Sequence, residues 1–171
     1  MPTPKPRAEP RLGREKIVPR SRLRALGASL RRRGLRIVFT NGCFDLIHPG
    51  HIALFEAARR LGDLLVVGVN SDDSVRALGK GAGRPIVGER DRARVVASLE
   101  CVDLVTIFGE PTPLRTIESL RPHVLVKGAD WGARAIVGAD FVRAHGGKVV
   151  RIRLTSGYST TCLIDRIRRG A

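Results

Sequence analysis

The chain of 171 residues has few aromatic side chains, few cysteines and no long apolar stretch. Because one Trp, one Tyr and five Phe cannot fill a core, Val, Leu, Ile and Ala must do so, which favours a buried parallel sheet over a β-sandwich. Three widely spaced cysteines provide neither a disulfide framework nor a metal-ligand spacing, which favours a reducing compartment. No purely apolar run exceeds four residues, which argues against secretion and membrane spanning. We therefore expect a cytoplasmic protein that does not contact a membrane.

Positive charge is concentrated at the amino terminus. The formal net charge is +15, and residues 1–36 hold twelve Lys or Arg against two Glu. The remaining residues carry an excess of five positive charges, which is unremarkable for an enzyme of anionic substrates. A basic nucleic-acid-binding protein is an alternative, but the arm lacks aromatic residues for base stacking. We therefore do not expect a nucleic-acid partner.

The apolar pattern predicts one domain behind a tail. Residues 1–20 combine prolines with scattered charge and lack a periodic apolar pattern, so we expect a flexible basic tail there and a single domain over 21–171. A first helix is predicted between Ser21 and Gly34. Short β-branched runs then alternate with helical patterns. The predicted strands cover 37–40, 64–70, 104–108, 124–127 and 148–154. The later predicted helices cover 50–61, 72–78, 89–99, 112–120, 137–145 and 160–169. This alternation is typical of an α/β fold, a Rossmann-like doubly wound sheet of about five parallel strands with helices on both faces.

The segment 40–51 has the pattern of a phosphate site. It follows the first predicted strand and opens a helix, which is where open α/β sheets bind ligands. Gly42 allows backbone to approach a ligand closely, and Pro49 suits the first helical turn. His48 and His51 stand three residues apart at the positive end of that helix, where two imidazoles suit a polyphosphate. A lone histidine would more often cap or pack, but the glycine and proline around this pair favour function.

A second segment, 157–161, separates the last strand from the last helix and is rich in hydroxyl groups. Ser159 and Thr160 could hold phosphate with their hydroxyls and with the amides of the helix start. Capping of that helix explains the pair equally well. The segment alone therefore leaves both interpretations open.

Basic residues after strands and in a glycine-rich loop are further candidates. Lys127 ends the fourth predicted strand, where its ammonium could neutralise a sugar phosphate while Asp130 accepts hydrogen bonds; either could equally be a surface residue. Lys80 and Arg84 flank glycines in a loop that could close over phosphates. This loop is not a Walker A loop, because Lys80 is followed by glycine. Arg92, on the next helix, is a third basic candidate, and no residue is predicted to ligate a metal.

The motif His48-Pro49-Gly50-His51 resembles the His-x-Gly-His signature of a nucleotidyltransferase superfamily. The resemblance implies that both histidines contact the nucleotide triphosphate, and we expect them to serve catalysis together with Lys80. It further implies that strand-end residues and a Ser-Thr motif hold the nucleotide. The expected nucleotide-binding residues are Thr40, Asn41, Gly42, Phe44, Asp45, His48, Gly50, His51, Arg92, Ser159 and Thr160.

Three further stretches, 66–72, 83–86 and 126–131, are similar to D-glycero-β-D-manno-heptose 1-phosphate adenylyltransferases. This resemblance implies transfer of AMP from ATP to heptose 1-phosphate, with Mg²⁺ as cofactor and pyrophosphate as second product, for bacterial surface glycans. A kinase domain that is fused to some of these enzymes has no counterpart here, so a stand-alone transferase is expected. The acceptor is expected to contact Lys127, Asp130 and Arg84.

Two departures from that family keep a second substrate pair open. Ala129 stands where the family commonly has a second glycine, and Trp131 where it has tyrosine. Cytidylyltransferases that act on glycerol 3-phosphate also carry an Asp-Trp pair there, but they place an arginine where Leu154 stands. The alternative is therefore CTP-dependent transfer to glycerol 3-phosphate or another phosphorylated small molecule. The oligomeric state stays open, although enzymes of this kind often form homodimers.

Overall fold

The sheet has five parallel strands. A computed structural model describes residues 13–79, 81, 83–128, 136–153 and 159–170. The strands are β1 Ile37–Gly42, β2 Leu64–Asn70, β3 Leu104–Phe108, β4 Val124–Gly128 and β5 Lys148–Ile152. They pair in parallel in the order β3-β2-β1-β4-β5. This order confirms the predicted Rossmann-like sheet.

Helices cover both faces of this sheet. Those among the described residues are α1 Leu23–Arg32, α2 Pro49–Arg59, α3 Asp72–Ala77, α4 Glu89–Ala97, α5 Leu114–Leu120, α6 Ala139–Ala144 and α7 Thr160–Arg168. Successive strand residues point to opposite faces, so Val38 joins a core cluster with residues of α2 and α4. Its neighbours Ile37 and Phe39 join a second cluster with residues of α1, α5 and α6. No helix in the described ranges combines the length and the apolarity that crossing a bilayer requires.

The segment before α1 contacts the fold, whereas the sequence pattern predicts a flexible tail there. The Lys16 ammonium donates hydrogen bonds to the carbonyls of Leu99 at 3.1 Å and Val102 at 2.8 Å. The Val18 amide donates to the Val105 carbonyl at 2.8 Å, on the outer strand β3. Individual polar contacts of this kind leave no apolar period in the sequence, which is why the pattern missed them. The folded part therefore includes residues that precede the predicted domain boundary.

The centre of the sheet is a topological switch point. Chain order runs outward from β1 through β2 to β3 on one side and from β4 to β5 on the other. Phe39 of β1 is in register with Leu125 of β4, so Asn41 and Lys127 lie level with each other two residues further on. In open α/β sheets, ligands bind in the crevice beyond the strand ends at this point. The predicted phosphate segment 40–51 and the predicted acceptor lysine both belong to this crevice.

Candidate active site

A tight turn joins β1 to α2 and is built around Phe44. Its φ of +48° lies in the left-handed region, which non-glycine residues seldom adopt. The Phe44 ring packs above Gly42, where an added Cβ would lie 2.9 Å from the ring. The glycine is therefore needed by the phenyl ring itself, whereas the sequence suggested close approach of a ligand. The same ring meets the His51 imidazole edge-on at 5.2 Å between centroids, so the packing of the turn fixes one predicted catalytic side chain.

The two histidines of the motif lie together at the amino terminus of α2. His48 is the N-cap residue with an extended backbone, and Pro49 occupies the first turn as expected. The two imidazole rings are stacked with centroids 3.7 Å apart and planes inclined by 20°. Burial lowers the pKa of His48 below its ordinary value, which favours the neutral imidazole near pH 7. Two imidazoles at the positive end of a helix can donate N–H groups to phosphate oxygens.

Two side-chain oxygen atoms at the carboxyl end of β1 are buried without a hydrogen-bond partner in the described part of the chain. Thr40 Oγ1 and Asn41 Oδ1 have no hydrogen-bond partner among the residues that the structure describes. Thr106 and Thr116 share this property elsewhere in the core, so it does not by itself identify a site. Buried polar groups left unpaired cost free energy, and a strand end at the switch point is where a ligand would supply the missing partner.

Lys127 bridges the two central strands at the same edge of the sheet. Its side chain is almost fully buried at the end of β4, and the ammonium donates to the Asn41 carbonyl at 3.1 Å. The residue predicted to bind the acceptor therefore lies beside a residue predicted to bind the nucleotide. Its predicted companion Asp130, with Ala129 and Trp131, lies outside the described residues.

The start of α7 meets the turn after β1. Ser159 caps this helix, its Oγ accepting the Cys162 amide at 3.0 Å, so the capping interpretation holds for this residue. The Thr160 hydroxyl donates to the Leu46 carbonyl at 3.5 Å, across more than a hundred residues of sequence. The two predicted phosphate motifs are therefore neighbours, with the amino termini of α2 and α7 at one edge of the sheet.

Asp45 and Arg84 pair with each other, although the sequence predicts contacts to the nucleotide and the acceptor. The Arg84 guanidinium donates to the Asp45 carboxylate at 2.5 Å, and their side chains are 9% and 0% exposed. The amides of Ile86 and Val87 also donate to this carboxylate, at 2.9 and 3.0 Å. A buried charge requires a compensating partner, and here each residue compensates the other. The structure therefore gives both side chains protein partners, and their contacts to the nucleotide and the acceptor stay predictions.

Arg92, which the sequence predicts to bind the nucleotide, is likewise held by protein groups. Its side chain is 0% exposed. The three guanidinium nitrogens donate to the carbonyls of Val87 at 2.8 Å and Cys43 at 2.5 Å and to the Asp72 carboxylate at 2.6 Å. Every guanidinium nitrogen has a protein partner and the side chain has no exposed surface, so this arginine supports the turn after β1. Its contact to the nucleotide stays a prediction.

The glycine-rich loop before Arg84 is described in part. Gly79, Gly81 and Gly83 have φ angles of +62°, +109° and +79°, which glycine adopts without steric cost. Lys80, predicted to serve catalysis, lies outside the described residues. The positive φ angles of this loop are thus ones that its glycines permit.

Gly50 of the histidine motif, also predicted to bind the nucleotide, is buried in the first turn of α2.

The chain combines a doubly wound parallel sheet with two histidines at the first strand-helix turn and a lysine across the switch point. These features place it in the class of α/β proteins that bind ligands beyond the ends of their strands. The sequence model of the cytidylyltransferase-like family matches residues 39–164. The chain belongs to this family and is a nucleotidyltransferase.

Curated relatives match most of this chain with a minor part of their own. The bifunctional protein HldE of Geotalea uraniireducens is 53% identical over 149 residues, which is 87% of this chain and 30% of that protein. The protein of the same description from Koribacter versatilis is 56% identical over 151 residues, covering 88% of this chain and 31% of its own length. The chain therefore spans just under a third of the length of these relatives.

Two solved structures share the fold. A lipopolysaccharide core biosynthesis protein from Thermoplasma volcanium has a TM-score of 0.59 and 29% identity, covering 74% of this chain and all of that one. The pantoate-beta-alanine ligase of Francisella tularensis has a TM-score of 0.54 and 15% identity, covering 86% of this chain and 75% of that one. The second likeness, at 15% identity, concerns the fold alone.

Proposed function

We propose that this nucleotidyltransferase moves AMP from ATP to D-glycero-β-D-manno-heptose 1-phosphate, giving ADP-heptose and pyrophosphate for bacterial surface-glycan synthesis. The proposal rests on the resemblance of residues 66–72, 83–86 and 126–131 to heptose 1-phosphate adenylyltransferases. Relatives at 53% identity and a neighbour described as a lipopolysaccharide core biosynthesis protein support it.

One observation carries the proposal: groups suited to phosphate converge at the switch point. The stacked rings of His48 and His51 lie at the start of α2, and Thr160 at the start of α7 bonds to the turn between β1 and α2. Lys127 adds a buried ammonium one strand away. Nucleotidyl transfer needs such positive groups where charge develops on the α-phosphate and on the leaving pyrophosphate.

The chemistry is a direct in-line displacement without a covalent enzyme intermediate. An oxygen of the acceptor phosphate forms a bond to the α-phosphorus, and the bond to the oxygen that bridges the α- and β-phosphates breaks. That oxygen leaves with the electron pair as part of pyrophosphate. His48 and His51 stabilise the developing charge by N–H donation, and Lys127 neutralises and orients the acceptor phosphate.

Mg²⁺ is expected to enter as part of the ATP substrate. The described part of the chain holds no group of three or more His, Cys, Asp or Glu that could ligate a metal ion. The carboxylate of the predicted motif, Asp45, is fully buried and held by Arg84. Magnesium commonly takes its ligands from substrate phosphates and water, and in that form it neutralises phosphate charge.

The decisive experiment tests two nucleotides against two acceptors. ATP or CTP is incubated with Mg²⁺ and either heptose 1-phosphate or glycerol 3-phosphate, pyrophosphate release is followed, and the product is identified by mass. We expect ADP-heptose from the first combination. CDP-glycerol, with no ADP-heptose, would support the alternative that Trp131 favours.

A basic nucleic-acid-binding protein is the alternative from another class, and truncation separates it from the enzyme. Removal of residues 1–12 takes away part of the basic arm and leaves the contacts of Lys16 and Val18 in place. We expect kcat/KM to stay within about twofold of the full chain, because the arm precedes the site residues. Salt-sensitive RNA or DNA binding that this truncation abolishes would favour the alternative.

A further inference from the structure

The loop that precedes α4 is fastened to the turn after β1 by buried charge. Arg84 reaches the Asp45 carboxylate at 2.5 Å, and the Ile86 and Val87 amides donate to the same group. The carboxylate therefore accepts from one side chain and two backbone amides of a single loop. Removing either charged partner would leave the other buried and uncompensated.

A second ion pair in the same region provides an exposed counterpart. Arg76 and Asp73 in α3 meet at 2.6 Å, but their side chains are 60% and 94% exposed. Solvent screens such a pair, and its loss has little effect on a protein. Both pairs join an arginine to an aspartate at nearly the same N–O distance. They differ in burial and in the segments that they connect, because the exposed pair lies within one helix and the buried pair joins a loop to a turn.

Phe44, whose backbone has the left-handed conformation, lies between two residues that bond to buried arginines. Arg92 donates to the Cys43 carbonyl on one side, and Arg84 pairs with the Asp45 carboxylate on the other. A non-glycine residue at φ +48° persists only when its surroundings impose that conformation. The Phe44 ring in turn contacts the His51 imidazole. A continuous chain of contacts thus leads from Arg84 to the histidine pair.

We propose that Arg84 is a positioning residue of the nucleotide site, which acts through Asp45 to hold Phe44 and the imidazole of His51 in place. It orients the histidine pair without contacting the substrate. The kinetic part of its test rests on the proposed function, whereas the spectroscopic part does not.

The kinetic test is a double-mutant cycle on the buried pair of Arg84 and Asp45, with a second cycle on the exposed pair in α3 as control. We expect R84A and D45N each to lower kcat/KM by about 10- to 100-fold, because a misplacement of about 1 Å can cost that much. The kcat/KM of the double variant should be no lower than that of the more impaired single variant, because both substitutions break the same contact. R76A, D73N and their double variant should stay within about twofold of the wild-type protein.

The kinetic pattern also discriminates against direct binding of the acceptor by Arg84. Direct binding would raise the acceptor KM in R84A while D45N stayed near wild type, and the two changes would add. That result would overturn the proposal. R84K keeps the charge but replaces a planar fork by a point charge, so it should recover part of the activity. R84K also serves as the test variant if R84A does not fold.

NMR of the imidazoles supplies a readout that does not depend on turnover. The ring ¹H–¹³C resonances of His48 and His51 should move in R84A and R84K and stay in place in R76A, with exposed His145 as an internal reference. Unmoved resonances in both Arg84 variants would refute the positioning role. A wild-type protein without turnover, combined with moved resonances, would refute the proposed function and leave the positioning role supported.

Discussion

At the amino ends of the strands, polar side chains bind the backbone of the sheet itself. The Ile37 amide donates to His123 Nδ1 at 3.0 Å, and the Leu65 amide donates to the Asp103 carboxylate at 2.7 Å. At the carboxyl ends, by contrast, the Thr40 hydroxyl is buried with no partner in the described ranges. The first arrangement completes the hydrogen bonding of the fold, whereas the second leaves a polar group unpaired at the edge of the sheet where α/β proteins bind ligands. Substitutions at the amino ends should therefore change stability, and those at the carboxyl ends should change activity.

The largest effect is expected from His51 at the carboxyl ends. H51A should lower kcat by roughly 100- to 1,000-fold, the usual loss when one donor to developing charge is removed. The unfolding midpoint should change little, because this side chain is only partly buried. Pyrophosphate release and thermal unfolding measure the two effects. H145A removes the exposed histidine that follows α6 as a control, and normal turnover of H51A would contradict the assigned role.

Lys127 should separate activity from stability most clearly. K127M should lower kcat/KM by about 10- to 150-fold, since a hydrogen bond to a charged group contributes about 1.5–3 kcal/mol. The free energy of unfolding should change by no more than about 1 kcal/mol, because the lost hydrogen bond to the Asn41 carbonyl offsets the relieved desolvation of the ammonium. K148M, at an exposed lysine of β5, is the matched control. An unfolding loss with unchanged kinetics would place Lys127 with the residues that serve the fold.

Asp103 should behave in the opposite way. D103A leaves the Leu65 amide without its acceptor and removes the carboxylate that pairs with Arg59 at 2.8 Å. The free energy of unfolding should fall by about 1–3 kcal/mol, measured by urea titration, while kcat/KM stays within about twofold. D103N keeps an acceptor oxygen and should lose less. A loss of kcat/KM well beyond twofold in D103A would contradict the assignment of the amino ends of the strands to stability alone.

The smallest expected effect is a pH dependence that His123 imposes on stability. Burial, followed by the charges of Arg31 and Arg36, lowers the pKa of His123, and the Ile37 amide needs Nδ1 unprotonated. As the pH falls below about 6.5, the unfolded chain therefore takes up this proton first, and stability falls by at most about 1.4 kcal/mol per pH unit.

Urea unfolding between pH 7.5 and 5.5 measures this effect, and H123Q should flatten it. His48, whose pKa burial also lowers, contributes with the same sign, so the difference between the wild-type protein and the variant isolates His123. An unchanged slope in H123Q would assign the whole pH dependence to other groups.

The parts that follow local patterns could be predicted from the sequence. β2 and β3 have the predicted bounds, while β1 continues two residues beyond Thr40 and α2 ends two residues before Leu61. β-Branched runs and apolar periods determine such elements, whereas their ends depend on tertiary contacts. The position of the histidine pair was predictable for a similar reason, because a strand end followed by glycine and proline indicates a ligand-binding turn.

Pairing between distant residues could not be predicted. Asp45 and Arg84 are 39 residues apart, and nothing local distinguishes an arginine that binds a ligand from one that neutralises a buried carboxylate. One signal was available in principle, since Asp45 is the single acid of segment 40–51 and a buried acid needs a cation. Arg92 gives the same lesson, because its carbonyl partners carry no mark in the sequence.

The amino-terminal segment that bonds to Val105 also matters for how the protein behaves at high concentration. β3 is an outer strand, and an uncovered outer strand offers unpaired amides and carbonyls to another chain. Ile17 and Val18 occupy part of that edge through a parallel bridge and one hydrogen bond. A chain that begins at residue 21 should self-associate more readily than a chain that begins at residue 13. We therefore expect this segment to limit association through the β3 edge, although its sequence pattern is that of a tail.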